Sequence, residues 1–107
     1  MKKQIVRIGT LSLGEGMPKV CVPVMGKEAR ALEKAAAHAD QAELIELRLD
    51  SVSPEMRQDV LREACAAVRR VGKPVLATMR TMRDGGAGEC DAEKYEALLD
   101  MLVRERL

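Results

Sequence analysis

At 107 residues, 47% of them apolar, the chain has room for a single domain with a modest core and does not have the composition of a disordered segment. Eighteen Lys and Arg against seventeen Asp and Glu leave a formal charge of +1, with the two signs interspersed, and there is one Tyr but no Phe or Trp. These numbers argue against a nucleic-acid-binding face, a base-stacking surface and an anionic-membrane footprint. They leave Leu, Val, Ala and seven Met to build the interior.

Met1 to Arg7 begins with positive charge but lacks the apolar run of a signal peptide. No segment approaches the ~20 apolar residues of a membrane span, so a cytoplasmic protein with no membrane partner is expected. Residues 4–8 and 11–13 alternate around Gly9-Thr10 and predict a small hairpin, followed by the loop Gly14 to Pro18. Residues 1–18 therefore precede the main repeat, and residues 19–107 read as three β-α units of one domain.

Val20 to Met25 reads as a first buried strand. Leu32, Ala35, Ala36 and Ala39 then fall at helical spacing in a helix from about Lys27 to Ala39. Residues 43–49 form the second strand. Ser53 as N-cap, Pro54 at the first helical position and Glu55 in the first turn start the second helix. Its inner stripe is Val60, Leu61, Ala64 and Val68, and Gly72 is its stop. Pro74 to Met79 is the third strand. After a polar loop, whose Asp84-Gly85-Gly86-Ala87-Gly88 run reads as flexible, Asp91 caps a last helix with Tyr95, Leu98, Leu99 and Leu102 on one face. Repeated β-α units imply an α/β fold with a parallel sheet and right-handed crossovers, and these helices can cover only one face of it.

Cys21, Cys65 and Cys90 are odd in number and far apart, which gives neither a disulfide framework nor a zinc pattern. Free, mostly buried thiols are expected, and no metal site.

The second strand carries the chemistry. Side chains two apart share a strand face, so Glu46 and Arg48 point one way while Ile45, Leu47 and Leu49 cover the other. Two charges on a parallel strand need a partner, a ligand or water; the plainest alternative to a binding role is an internal ion pair. On the third strand Leu76, Thr78 and Arg80 share a face, opposite Val75, Ala77 and Met79. Ligand sites in α/β folds form at the C-terminal ends of parallel strands, so Glu46, Arg48 and Arg80 can converge there. Two guanidiniums beside a carboxylate suit an anionic, hydroxylated small molecule, with Arg80 otherwise simply opening a solvated loop.

Met25-Gly26-Lys27 closing the first strand, Glu46-Leu47-Arg48-Leu49-Asp50 in the second, and Thr78-Met79-Arg80 followed by Asp84-Gly85-Gly86 resemble the N-terminal part of type I 3-dehydroquinate dehydratase. The Gly14 to Lys19 run also resembles that family's opening. The resemblance implies part of a (β/α)₈ barrel, with about three β-α units present after the hairpin. It implies a shikimate-pathway enzyme that dehydrates 3-dehydroquinate to 3-dehydroshikimate through a lysine imine, with a histidine as general acid and base and no external cofactor. By position, Glu46, Arg48 and Arg80 resemble the substrate-binding residues. Asp84 stands where the family has a glutamate that orients the histidine, and Pro23 where it often has a small polar residue.

The seven lysines fall at the wrong strand ends, in the N-terminal tail or on helices, and the single histidine, His38, falls late in the first helix, where it suits the helix C-terminus. In the family the catalytic lysine and histidine lie on later strands, beyond Leu107. The 107-residue chain is therefore expected to be an inactive fragment, marginal or oligomeric alone, or a non-catalytic piece completed by another chain. A small flavodoxin-like anion-binding domain is the alternative outside the family.

Overall fold

The computed structural model describes residues 4–89 and 91–105. The alternating N-terminal runs pair as an antiparallel hairpin, β1 (Val6–Ile8) with β2 (Leu11–Leu13), Val6 opposite Leu13 and Ile8 opposite Leu11. Gly9 supplies the positive φ, 59°, that suits so short a turn.

The other strands form a separate parallel sheet in chain order: β3 (Cys21–Val24), β4 (Leu44–Arg48) and β5 (Val75–Thr78). Helix α1 (Ala29–Ala37) joins β3 to β4, and α2 (Leu49–Val52) with α3 (Gln58–Arg69) joins β4 to β5. Helix α4 (Ala92–Arg104) follows, with Asp91 as its N-cap accepting from the Lys94 amide at 2.8 Å.

Strand parity divides the sheet as expected. Ile45, Leu47 and Leu49 are fully buried, joined in one core by Val24, Leu32, Ala36, Leu61, Ala64, Val68, Leu98, Met101 and Leu102, with Val75, Ala77 and Met79 on the same side. Burying each of the larger side chains contributes roughly 1.5–3 kcal/mol, which makes this the face that holds the fold. On the opposite face Cys21, Pro23 and Leu76 are exposed and Glu46, Arg48 and Thr78 partly so. Leu44, which shares the parity of Glu46 and Arg48, is nonetheless buried at the foot of the central strand.

Several expectations are corrected. The first strand is shorter than Val20 to Met25 and only Val24 in it is buried, because β3 is an edge strand with one uncovered face. An edge is where Pro23 is tolerated. For the same reason Cys21 is exposed, while Cys65 is buried as expected and Cys90 lies outside the described residues. Burial pushes the Cys65 thiol up to about 11, helped by the nearby Glu105 carboxylate, so it is an inert core group.

The second helix does not begin at Ser53-Pro54. Strand β4 runs straight into the four-residue α2, which buries Leu49 and Asp50, and Ser53 ends that turn. The chain then reverses through Met56, whose φ is +63°. The cost of a left-handed non-glycine residue, roughly 1–2 kcal/mol, is offset by burying the Met56 side chain in the core. Ser53 Oγ accepts from the Arg57 amide at 2.9 Å, so the serine caps the turn before α3 and the helix starts at Gln58. The inner face of α4 is also rotated: Leu98, Met101 and Leu102 are buried, while Tyr95 and Leu99 are exposed.

Lys73, just before β5, donates through Nζ to the carbonyls of Ala39, Asp40 (3.2 Å) and Ala42 (2.8 Å), tying β5 to the loop that leaves α1. Charge-assisted bonds to several carbonyls hold a connection that has little apolar burial of its own. Lys73→Met is expected to lower the unfolding free energy by about 1–2 kcal/mol. A fall in the urea midpoint checks this, and an unchanged midpoint would show that water holds those carbonyls equally well.

Candidate functional site

The site grows from the polar residues of β4. Glu46 and Arg48 lie on the open face, and the parallel register sets Arg48 beside Thr78 of β5. Thr78 Oγ1 donates to Glu46 Oε2 at 3.1 Å. Arg48 does not pair with Glu46. Its Nε and Nη2 donate to the two carboxylate oxygens of Asp50, at 3.0 and 2.8 Å, as a bidentate fork. No buried side-chain polar atom among the described residues lacks a partner, so the guanidinium's remaining Nη1 edge reaches solvent.

Asp50 is 1% exposed. Its carboxylate also accepts the backbone N–H of Arg80 (3.1 Å) and of Ala87 (3.2 Å), both from the segment that leaves β5. Burial, the largest single influence, pushes its carboxyl upward. The Arg48 fork, the two amides and the charge of Arg48 together outweigh that and hold it at about 2. The same contact keeps Arg48 firmly protonated: its bond to Asp50 raises the guanidinium against the opposing effect of burial.

Arg80 stands one residue-pair beyond β5 and is exposed. Its Nε donates to the Asp84 carbonyl at 3.0 Å, so its side chain lies along its own loop and makes no bond to Glu46 or Arg48. Asp84 closes a single 3₁₀ turn, Met82–Asp84, and its Oδ2 accepts from Thr81 Oγ1 at 3.2 Å. The loop expected to be flexible is closed by backbone bonds: Gly86 N–H to Thr81, Gly88 N–H to Arg80 and Met82 N–H to Gly88. A Cβ at Gly86 would collide with the Arg80 carbonyl, which is why glycine stands there. On the β3 side, Ser51 Oγ donates to the Arg48 carbonyl (2.6 Å) and accepts from the Gly26 amide (3.2 Å), fastening the Met25-Gly26-Lys27 turn to α2.

The structure thus brings Glu46, Arg48 and Thr78 together at the outlet of neighbouring strands, with Arg80 linked to them through its backbone. His38 is the C-cap residue of α1, its backbone N–H donating to the Lys34 and Ala36 carbonyls. A groove between the 81–89 loop and α4, lined by Met82, Arg83, Tyr95 and Leu99, includes none of Glu46, Arg48 or Arg80. Among the described residues no group of His, Cys, Asp and Glu could hold a metal ion, and no helix is long and apolar enough to cross a membrane.

The residue that sequence reasoning missed is Asp50. Extending the strand parity by one more step sets it on the face of Glu46 and Arg48, and that signal was present. Because the folded carboxyl lies below its unfolded value of about 4, Asp50 stabilises the fold fully above that pH and loses this as the pH falls toward about 2. Its contribution is about 2 kcal/mol. The stability gap between the wild-type chain and Asp50→Asn, measured by urea unfolding, is expected to be widest near neutral pH and to close through that acid window; a constant gap contradicts it.

A profile of the type I 3-dehydroquinase family matches residues 20–107. The 3-dehydroquinate dehydratases of Bacillus licheniformis and Enterococcus faecalis are 32% and 34% identical to the chain, each over 98% of it. The chain spans 43% and 42% of their respective lengths. A crystal structure of type I 3-dehydroquinate dehydratase from Clostridium difficile, with covalently modified comenic acid, superposes with a TM-score of 0.81 at 29% identity, over 91% of this chain and 40% of that one. The dehydratase of Geobacillus kaustophilus shares the fold, with a TM-score of 0.78 at 23% identity, over 90% and 39% of the respective chains. These neighbours identify the three parallel β-α units as part of a (β/α)₈ barrel and set aside the flavodoxin-like alternative. The match over residues 20–107 and the superposition agree: the chain belongs to the type I 3-dehydroquinase family.

Proposed function

We propose that this chain supplies the first part of a 3-dehydroquinate dehydratase site, binding the substrate's carboxylate and hydroxyls through Glu46, Arg48 and Arg80. The reading is carried by one observation: the polar groups of β4 and β5 lie at the strands' outlet end, on the face that no helix covers among the described residues. In a (β/α)₈ barrel that face is the interior, and its outlet end is where ligands are bound. Arg48 can offer its free Nη1 edge to an anion, Glu46 a hydroxyl acceptor, and Arg80 a charge on the neighbouring strand end.

The reaction is loss of water from 3-dehydroquinate to give 3-dehydroshikimate, through an imine between a lysine and the substrate ketone. In this reading the lysine and the histidine that moves protons come from barrel strands outside these 107 residues. Lys73 is bound to three carbonyls, Lys27 lies in the bend between β3 and α1, and Lys34 and Lys94 are on helices. Asp84 is the carboxylate offered to orient the histidine, from the loop after β5. A cytoplasmic location goes with this biosynthetic role.

The remaining strands of such a barrel would pack against the uncovered face and the outer edges of this sheet. Met25 and Leu76, 52% and 45% exposed, lie in the parity of the uncovered face, and among the described residues β3 and β5 each present an unpaired edge. Such surfaces drive association. The isolated chain is expected to self-associate with concentration in sedimentation experiments; a monomer with a sharp cooperative melt would contradict the proposed need for a complement.

Activity tests the rest. The chain alone is expected to form no conjugated enone from 3-dehydroquinate. Mixed with a polypeptide supplying the later strands it is expected to do so, with borohydride trapping the imine on that polypeptide. In the mixture Arg48→Ala and Arg80→Ala are each expected to raise KM by roughly 10–100-fold. Unchanged KM in either variant removes that arginine from the site.

A further inference from the structure

Asp50 holds four hydrogen bonds: two from the Arg48 fork, at 3.0 and 2.8 Å, and one each from the Arg80 and Ala87 amides, at 3.1 and 3.2 Å. A carboxylate offers about four acceptor directions, so this one is saturated by protein groups. It is also 1% exposed. A group with no free lone pair and no route to solvent can neither take a substrate proton nor ligate a cation, which leaves it a role through its neighbours.

Those neighbours lie on two different elements. Arg48 closes β4, whereas Arg80 and Ala87 lie at the two ends of the loop that leaves β5. Between those ends the loop is locked to itself, because the Gly86 and Gly88 amides bond to Thr81 and Arg80 and glycine lets the backbone approach the Arg80 carbonyl closely. The same loop carries Asp84, whose carbonyl receives Arg80 Nε. A displacement of Ala87 therefore moves Asp84 and Arg80 with it. The ordinary role of an acid in the first turn of a helix does not account for the arrangement, since α2 has four residues and the acceptors of Asp50 face outward to other elements.

We propose that Asp50 is a positioning residue: its single carboxylate fixes the Arg48 guanidinium and the loop after β5 against each other, so that the binding groups of the two strands keep one relative position. The proposal rests on the reading of Arg48 as a ligand-binding group, and its test lets the two fail separately.

Amide hydrogen exchange on the full chain reads the clamp. In Asp50→Asn, where an N–H₂ replaces one acceptor, the Arg80 and Ala87 amides are expected to exchange at least about tenfold faster than in the wild type, while amides of α1 and α3 keep their protection. Wild-type rates at Ala87 in this variant overturn the proposal. Should the variant unfold as a whole, the wild-type chain still decides: its Ala87 amide is expected to exchange at least about tenfold more slowly than the same amide in an unstructured peptide, and equal rates overturn the clamp. In the reconstituted barrel, Asp50→Asn is expected to weaken binding of 3-dehydroquinate about tenfold. Undiminished affinity there, with exchange protection lost, overturns the positioning role, whereas undiminished affinity in Arg48→Ala overturns the ligand reading instead.

Discussion

A buried carboxylate sets the order of the whole outlet end. Removing an ionised Asp from water costs several kcal/mol, and it is stable only when a counter-charge and donors surround it. Asp50 meets that demand by drawing in the guanidinium of its own strand and two amides of the next. The strand must therefore bend into α2 immediately after Arg48, the loop after β5 must fold back over it, and Gly86 must be a glycine for the backbone to come close enough. Replacing either partner would leave a buried charge alone, so these features depend on one another.

The sheet that carries this arrangement is divided by energy as well as by chemistry. Its helix side is close-packed aliphatic, from Val24 through Leu47 to Leu102, and supplies the folding free energy. Its other side contributes little burial among the described residues, since Cys21, Pro23 and Leu76 are exposed there. Polar groups can be kept on that face because the packed face does not need them, and there the family's barrel has its interior. Stability and site thus occupy opposite sides of the same three strands.

What the sequence made legible follows from the same division. Period-two alternation is strict where one face is buried, so the directions of Ile45, Glu46, Leu47 and Arg48, and those of Val75 to Thr78, could be read directly. Ser53-Pro54-Glu55 misled because its local preference for a helix start was overridden by tertiary burial of Met56, which the chain reaches only by reversing first. In α4 the apolar residues are spread widely enough that Tyr95 and Leu99 fit one stripe and Met101 another, and contact with the core chose the second. Asp50 was hidden for a different reason. Its partners at Arg80 and Ala87 are backbone amides, and a backbone donor leaves no mark in the residue alphabet.

Charge limits what the proposed site can hold. Arg48 and Arg80 bring two positive charges, Glu46 and Asp50 two negative ones, and Asp84 adds a further carboxylate on the loop. Arg48 is already matched by Asp50 at 2.8 Å and presents one edge of its fork, and Arg80 has its Nε on a backbone carbonyl. The bidentate grip that makes arginine strong for carboxylates is thus divided between protein and ligand. In the proposed reading, an anion gains direction from these two partial grips more than it gains net attraction. On the proposed reading, the stronger attraction for a small anion is left to groups outside the described residues, because the charges gathered here largely cancel one another.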